Sequence, residues 1–318
     1  MGKRRTDPGY GQGEVTLGAD DEALLDEQAL TEQLLTTLQD PGYRPPTLPS
    51  VSVELMSLAQ KPGVTFDDVV ALLERDTMLT GRVMKLVQSP IYAAARRVTS
   101  LKQALVRIGL NALRDMVFEA SLQLRVFRSD AYADTMERLR RHSAVVAHLS
   151  RLICRYTAIE GEYAFLCGLL HDVGIAGILL TLGDSSAGKL PPDLTAIWPA
   201  LDRAHAPAGD RIAELWGLPQ EIRMVIGAHH QVMIQGFPHP LAATVCLADD
   251  LAHALGVGLL PEKADEELSL ERACLQSLVA IDASGESTLA AAREALALDE
   301  RKLELIRSDA EEIAAAIE

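Results

Sequence analysis

The sequence predicts an all-α protein, and three observations carry that reading. Alanine and leucine dominate while Phe, Trp and Tyr make up only 4% of the residues, which favours helix. No stretch is rich in valine, isoleucine and threonine in the way strands are. Serine, threonine and aspartate recur just ahead of apolar residues spaced three and four apart, the signature of short capped helices. At 318 residues the chain is long enough for a large core and two packed subdomains.

Residues 1–20 mix glycine, proline and charge with no apolar period, so residues 1–21 are predicted to be a flexible tail whose Lys3-Arg4-Arg5 cluster is solubilising. A first helix over 22–38 gathers Leu24, Leu25, Leu30, Leu34 and Leu35 into one stripe. Pro41, Pro45, Pro46 and Pro49 then force an extended connector. Ser50 caps a helix reaching Ala59, and Pro62-Gly63 ends it. Thr65 with Asp68 makes a capping box for a helix turning Phe66, Val69, Val70 and Leu73 inward. Asp76 opens the next helix, which carries Met78, Leu79, Val83, Leu86 and Val87. Ser100 with Gln103 repeats the capping pattern, Gly109 stops that helix, and Asn111 starts a long one to about 127. Residues 22–127 thus read as one helical subdomain.

The second half, 128–260, reads as helices over 132–156, 160–172, 175–182 and 194–205, with a loop over 183–192. Apolar residues run through 212–230, with Trp216 in the core and Pro219 at a turn, and a last apolar helix covers 242–255. The extension 261–318 begins acidic and ends in a stripe of Leu303, Ile306, Ala310, Ile313 and Ile317. That stripe packs on the bundle, or it is the face of a homodimer or a partner-docking helix.

Charge narrows the function. Thirty basic against forty-five acidic residues leave −15, a surface that repels phosphate backbones and anionic lipid, so nucleic-acid and membrane binding are not expected. Cys154, Cys167, Cys246 and Cys274 sit singly in apolar contexts, as reduced thiols do. No signal peptide opens the sequence, and the apolar run 164–182 is interrupted by His171-Asp172 and too short and polar to span a bilayer. The expectation is a cytoplasmic protein.

The chemistry centres on Leu166-Cys167-Gly168-Leu169-Leu170-His171-Asp172-Val173-Gly174. Burying an imidazole and a carboxylate without partners costs several kcal/mol, so this apolar run needs a metal ion or a closed hydrogen-bond network at its end. Neighbouring helical residues point roughly 100° apart, so both could reach one ion only where the helix frays, and Gly174 suits such an end. His148, His239 and His253 read as surface or cap residues, and His205 as a residue following a helix just before Pro207.

Taken together, Leu48-Pro49, the 64–73 helix, Asp76-Thr77-Met78-Leu79, Ser89 with Tyr92, Val98-Thr99-Ser100 with Ala104, and Ile108-Gly109 resemble an HDOD domain. This HD-related output domain is a bacterial signalling module, and the resemblance covers about residues 40–255. One departure is Gln88-Ser89-Pro90, where the family has Asn-Ser-Ala. The resemblance implies an HD-like helical bundle in the second half, similar also to the HD and HD-GYP phosphohydrolases. Matched to those relatives, His142, His171, Asp172 and Asp249 fall on the ligands of one metal, and His205, His229 and His230 on those of a second. Such a donor set suits Fe, Mn, Zn or Ni.

Two departures bear on catalysis: Ile175 stands where HD-GYP proteins carry a lysine, and Gly236-Phe237-Pro238 replaces their GYP signature, with Gln231 in place of an acidic residue. The resemblance therefore implies a non-enzymatic signalling output or scaffold protein, working through contacts with other signalling proteins. The alternative is a metal-dependent phosphohydrolase of the HD type acting on a nucleotide or cyclic dinucleotide. Apolar Ile175 cannot stabilise charge on a phosphodiester, so metal-loaded protein is expected to leave cyclic di-GMP intact; chromatographic detection of turnover near ordinary enzyme rates, ~1 s−1 or more, would overturn this.

Overall fold

The computed structural model describes residues 19–59, 61–92, 98–185, 192–259 and 288–317. Residues 1–18 of the predicted tail, with Lys3-Arg4-Arg5, the acidic start of the extension and Cys274 lie outside the described residues, while 19–21, read as tail, already belong to the first helix. The all-α prediction holds. In order come α1 (Ala19–Gln39), α2 (Ser50–Ala59), α3 (Phe66–Leu73), α4 (Thr77–Leu86), α5 (Leu101–Arg125) and α6 (Ala133–Tyr156). They are followed by α7 (Ala164–Leu170), α8 (Val173–Ser185), α9 (Leu194–Leu215), α10 (Gln220–Gly227), β1 (Met233–Ile234) and β2 (Phe237–Pro238). The chain closes with α11 (Pro240–Ala254), α12 (Thr288–Ala295) and α13 (Glu300–Ala316).

The caps read from the sequence set these boundaries. Thr65 Oγ1 accepts from Asp68 N at 3.2 Å while Asp68 accepts from Thr65 N at 2.9 Å, a reciprocal capping box. Asp76 caps α4 through Leu79 N, and Ser100 caps α5 through Gln103 N. Gly109 takes φ 80° and breaks α5 into two segments, a conformation that costs a side-chain-bearing residue energy. Phe66, expected inward, is 45% exposed, because the first residue of α3 overhangs the end of its core.

Among the described residues two large apolar cores result, beside a small cluster of Val87, Val98, Ala104 and Met116. Leu55 of α2, Leu73 of α3, Leu79 and Val83 of α4, and Leu105, Leu113 and Val117 of α5 pack together in the first. The larger core joins α6, α7, α9, α10 and α11, with Ile306 and Ala310 of α13 laid against α6. The C-terminal stripe therefore packs on the bundle, where Arg141 Nε also donates to Ile317 O at 3.1 Å. The apolar run from Ala164 to Gly183 is broken at the doublet into α7 and α8, and most of it lies inside the protein.

Two local readings are corrected, and one turn is new. Gly174 does not end a helix; it lies in the first turn of α8, where an added Cβ would come within 1.9 Å of His205 O and 2.7 Å of Gly209 N. The pair Gly174 and Gly209 thus lets the backbones of α8 and α9 touch. His205 lies inside α9, which continues through Pro199 and Pro207 to Leu215. Proline in a helix interior removes one hydrogen bond, at a cost of roughly 3 kcal/mol, and the burial of Ala204, Ala208 and Ile212 against α8 and α10 offsets it. The segment around Gly236 forms a two-residue hairpin with φ 53° at Gln235 and φ 82° at Gly236, a turn that sequence patterning without alternating apolar residues does not reveal. Gly174→Ala should meet backbone rather than a movable side chain, so we expect a loss of about 1–3 kcal/mol or more in urea denaturation.

Candidate metal centre

The doublet sits between two helices. α7 ends at Leu170, His171 is its C-cap, and α8 starts at Val173, so the backbone turns at the residues that must converge. His142 arrives from the buried face of α6 and Asp249 from α11. His142 Nε2 lies 3.2 Å from His171 Nε2, 3.1 Å from Asp249 Oδ1 and 3.7 Å from Asp172 Oδ2, and His171 Nε2 lies 3.2 Å from Asp172 Oδ2. The four residues that the resemblance grouped meet in one polar cluster.

The other three gather alongside. His205 Nε2 is 3.2 Å from His229 Nε2 and 2.9 Å from His230 Nε2. Two adjacent histidines can both face inward because α10 ends at Gly227, ahead of them. His205 and His229 are buried while His230 is exposed. Asp172 joins the two groups: its Oδ1 lies 3.5 Å from His205 Nε2 and 3.4 Å from His229 Nε2, while its Oδ2 faces His171 and His142.

Hydrogen bonding on the far side of the rings fixes what they present. His142 Nδ1–H donates to Val257 O at 2.7 Å, and His171 Nδ1–H to Gly168 O at 2.8 Å. His229 Nδ1–H donates to Ile226 O at 2.7 Å. Each neutral ring then turns a bare Nε2 lone pair toward the cluster. Two such lone pairs at 3.2 Å, flanked by carboxylates, need a cation between them, either a proton or a metal ion. Burial works against charge on His171, yet adjacent Asp172, bonded to it, and Asp249 push its pKa up to about 9. Burial likewise opposes ionisation of Asp172, but His171, His229 and His205 hold it well below the usual carboxylate range. Without a metal, then, the first group keeps a proton on His171. In the second group burial lowers His205, and His229 beside it lowers it further, against the pull of Asp172.

The donor set fits divalent transition metals, being imidazole nitrogen and carboxylate oxygen throughout. Asp249 Oδ1 is buried without a properly directed hydrogen bond, an acceptor left for a cation. Sequence reading missed one member. His253 was expected at the surface, but its Nε2 lies 3.4 Å from Asp249 Oδ1 and its ring centroid 5.0 Å from that of His142. The signal was its place four residues after Asp249 on one helix, which puts both on the same face. His148 is corrected in the other direction: it is buried between Tyr92 and Phe165, away from the cluster, and burial lowers its pKa well below the ordinary value. His239 caps α11 by accepting from Ala242 N at 3.2 Å, as expected of a cap residue.

Fold and centre together define a helical domain of the HD type. The chain belongs to the HDOD family: the HDOD domain matches residues 46–232, more than half of its length. An uncharacterised protein of Treponema pallidum (strain Nichols) is 26% identical over 237 residues, covering 70% of this chain and 45% of that protein. The chain thus spans about half the length of this curated relative. Among solved structures, a protein of Shewanella amazonensis SB2B with the provisional description of metal-dependent phosphohydrolase aligns at a TM-score of 0.67 and 17% identity, over 92% of this chain and 100% of that one. An HDOD domain protein of unknown function from Geobacter sulfurreducens aligns at 0.57 and 24% identity, over 91% and 99%. A protein of Marinobacter aquaeolei VT8, provisionally described as a signal transduction protein, aligns at 0.58 and 21% identity, over 92% and 65%. At these identities the likeness establishes the fold.

Removing the bridging carboxylate should separate a proton-held network from a metal-held one. Asp172→Ala leaves buried partners unpaired and should cost roughly 1–3 kcal/mol. With metal bound, a chelator should lower the melting temperature of the wild type, because ligand binding adds stability by mass action, but not that of Asp172→Ala. Differential scanning fluorimetry with and without chelator checks both; a wild type indifferent to chelator would favour the proton-held network.

Proposed function

We propose that this HDOD protein is a metal-dependent phosphohydrolase of the HD type, acting on a phosphoester of the nucleotide class in a signalling setting. The observation that carries the reading is the position of Asp172, whose two oxygens face two separate groups of imidazoles. His142, His171 and Asp249 would hold one cation, His205, His229 and His230 the other, with Asp172 shared. Bound there, a pair of divalent ions would polarise a phosphoryl oxygen and acidify an attacking water.

The chain's own residues set the rest. The Nδ1 bonds of His142, His171 and His229 lock their rings and keep the Nε2 atoms aimed inward, the orienting role that outer partners play around metal ligands. Buried rings shield the first group from bulk water, and exposed His230 marks the side from which a phosphoester can approach the second. His253 Nε2, next to Asp249 and mostly buried, is placed to hold a proton and pass it to a leaving oxygen.

A second reading is favoured by one observation. Ile175, where HD-GYP proteins carry lysine, is buried and apolar, so the centre lacks that cationic contact to substrate. On this reading the metals stabilise an output domain that acts through protein contacts. Elemental analysis of protein purified without chelator, followed by assays on p-nitrophenyl phosphate, its bis-ester and nucleotide monophosphates with Mn or Fe, decides between them. The first reading expects two metal ions per chain, hydrolysis of at least one ester, and loss of both in Asp172→Ala. Two ions without turnover of any ester would support the second reading, and a metal-free protein would overturn the first.

A further inference from the structure

Away from the metal centre, a cavity of about 1070 Å3 opens between α4, α5, α6 and the end of α13. No member of the histidine–aspartate cluster lines it. Its size lies just above the usual range of small-molecule sites, roughly 300–1000 Å3.

The lining is cationic in a chain whose net charge is −15. Arg82, Lys85, Arg128 and Arg140 face it, against Glu119 and Glu137. Arg140 is engaged by Glu137 at 2.6 Å, and Arg82 Nε donates to Gln123 Oε1 at 2.7 Å. Lys85 and Arg128 stand exposed at the rim and have no ion pair among the described residues. Low-dielectric walls concentrate such a field and draw in anions.

Deeper in the wall the need reverses. Glu119 is 5% exposed; its Oε1 accepts from Gln123 Nε2 at 3.2 Å, but Oε2 is enclosed with no hydrogen-bond partner. Ser89 Oγ, on the turn that lines the same cavity, is also enclosed and unpartnered. A buried carboxylate oxygen left unsatisfied costs stability, so this wall calls for N–H donors. Burial holds the Glu119 carboxyl up to about 7, against the pull of Arg140, Arg151 and Arg82, so it can serve as acceptor or donor near neutral pH. Phe127 adds an aromatic side chain to the lining.

Inorganic phosphate would answer the rim and not Glu119, and a polyamine would answer Glu119 and be repelled by the rim. We propose that this cavity binds a purine nucleotide, its phosphates on Arg82, Lys85 and Arg128 and the N–H edge of its base on Glu119 and Ser89. This goes beyond the hydrolase reading, because the site is separate from the metal centre.

The test is isothermal titration of the full chain with GTP and ATP in excess EDTA, which removes metal-held phosphate from the readout. Saturable binding of at least one nucleotide is expected, with guanosine and tripolyphosphate each weaker by about tenfold or more, a difference of about 1.4 kcal/mol. The double variant Lys85→Glu/Arg128→Glu alters two exposed rim positions and should fold as the wild type does by circular dichroism, yet bind the nucleotide about tenfold more weakly. Glu119→Gln should narrow the gap between nucleotide and tripolyphosphate. Absence of saturable binding in EDTA, binding unchanged by the rim reversal, or tripolyphosphate binding as tightly as nucleotide would overturn the proposal.

Discussion

The second half of this protein is organised by an electrostatic confrontation that only a cation can resolve. His142 and His171 both commit Nδ1–H to backbone carbonyls and bring their Nε2 atoms to 3.2 Å. Neutral rings so arranged repel, and the buried carboxylates of Asp172 and Asp249 add negative charge to the same space. The backbone contributes to this field. His171 donates to Gly168 O in the last turn of α7, and His229 to Ile226 O in the last turn of α10. Those carbonyls have no partner within their own helices, so each histidine satisfies a helix end while its other nitrogen faces the centre. The C-termini of α7 and α10 both meet the centre, and helix C-termini favour positive charge.

Packing elsewhere follows from delivering those groups to one place. α6 and α11 are long and apolar on their inward faces and bring His142 and Asp249 together across the core. α9 reaches the doublet only because Gly174 and Gly209 let two backbones approach without side chains between them. That contact, rather than helix propensity, holds His205 within 3.5 Å of Asp172 and keeps α9 helical through two prolines. The helices of the first half supply no ligand to the cluster; their contribution lies along α4 and α5, where they meet α6 at the cavity.

Much of this is legible in the sequence. Helix starts at Thr65, Asp76 and Ser100 follow from local chemistry, since a side-chain oxygen three residues ahead of an orphan N–H needs no tertiary information. The doublet was legible because an imidazole and a carboxylate interrupt an apolar run. The errors have a common cause. His148 and His253 were misread because a histidine on a helix looks the same in sequence whether its face meets Phe165, Asp249 or water. Gly174 reads as a terminator because the sequence does not show that the backbone of His205 lies against the place where its Cβ would be. Long-range contact decided these positions, and no local period encodes it.

The count of carboxylates bears on how Ile175 should be weighed. Among the described residues, no arginine or lysine is ion-paired with Asp172 or Asp249. Two carboxylates balance a single divalent ion, and a centre so neutralised offers a phosphoester no net attraction. With two divalent ions the same carboxylates leave a surplus of positive charge in a partly enclosed site, where it acts more strongly than it would in water. A substrate phosphate could then be held without a lysine. Whether apolar Ile175 disables this centre therefore depends on its nuclearity, and nuclearity depends on Asp172, the one carboxylate that faces both groups of imidazoles.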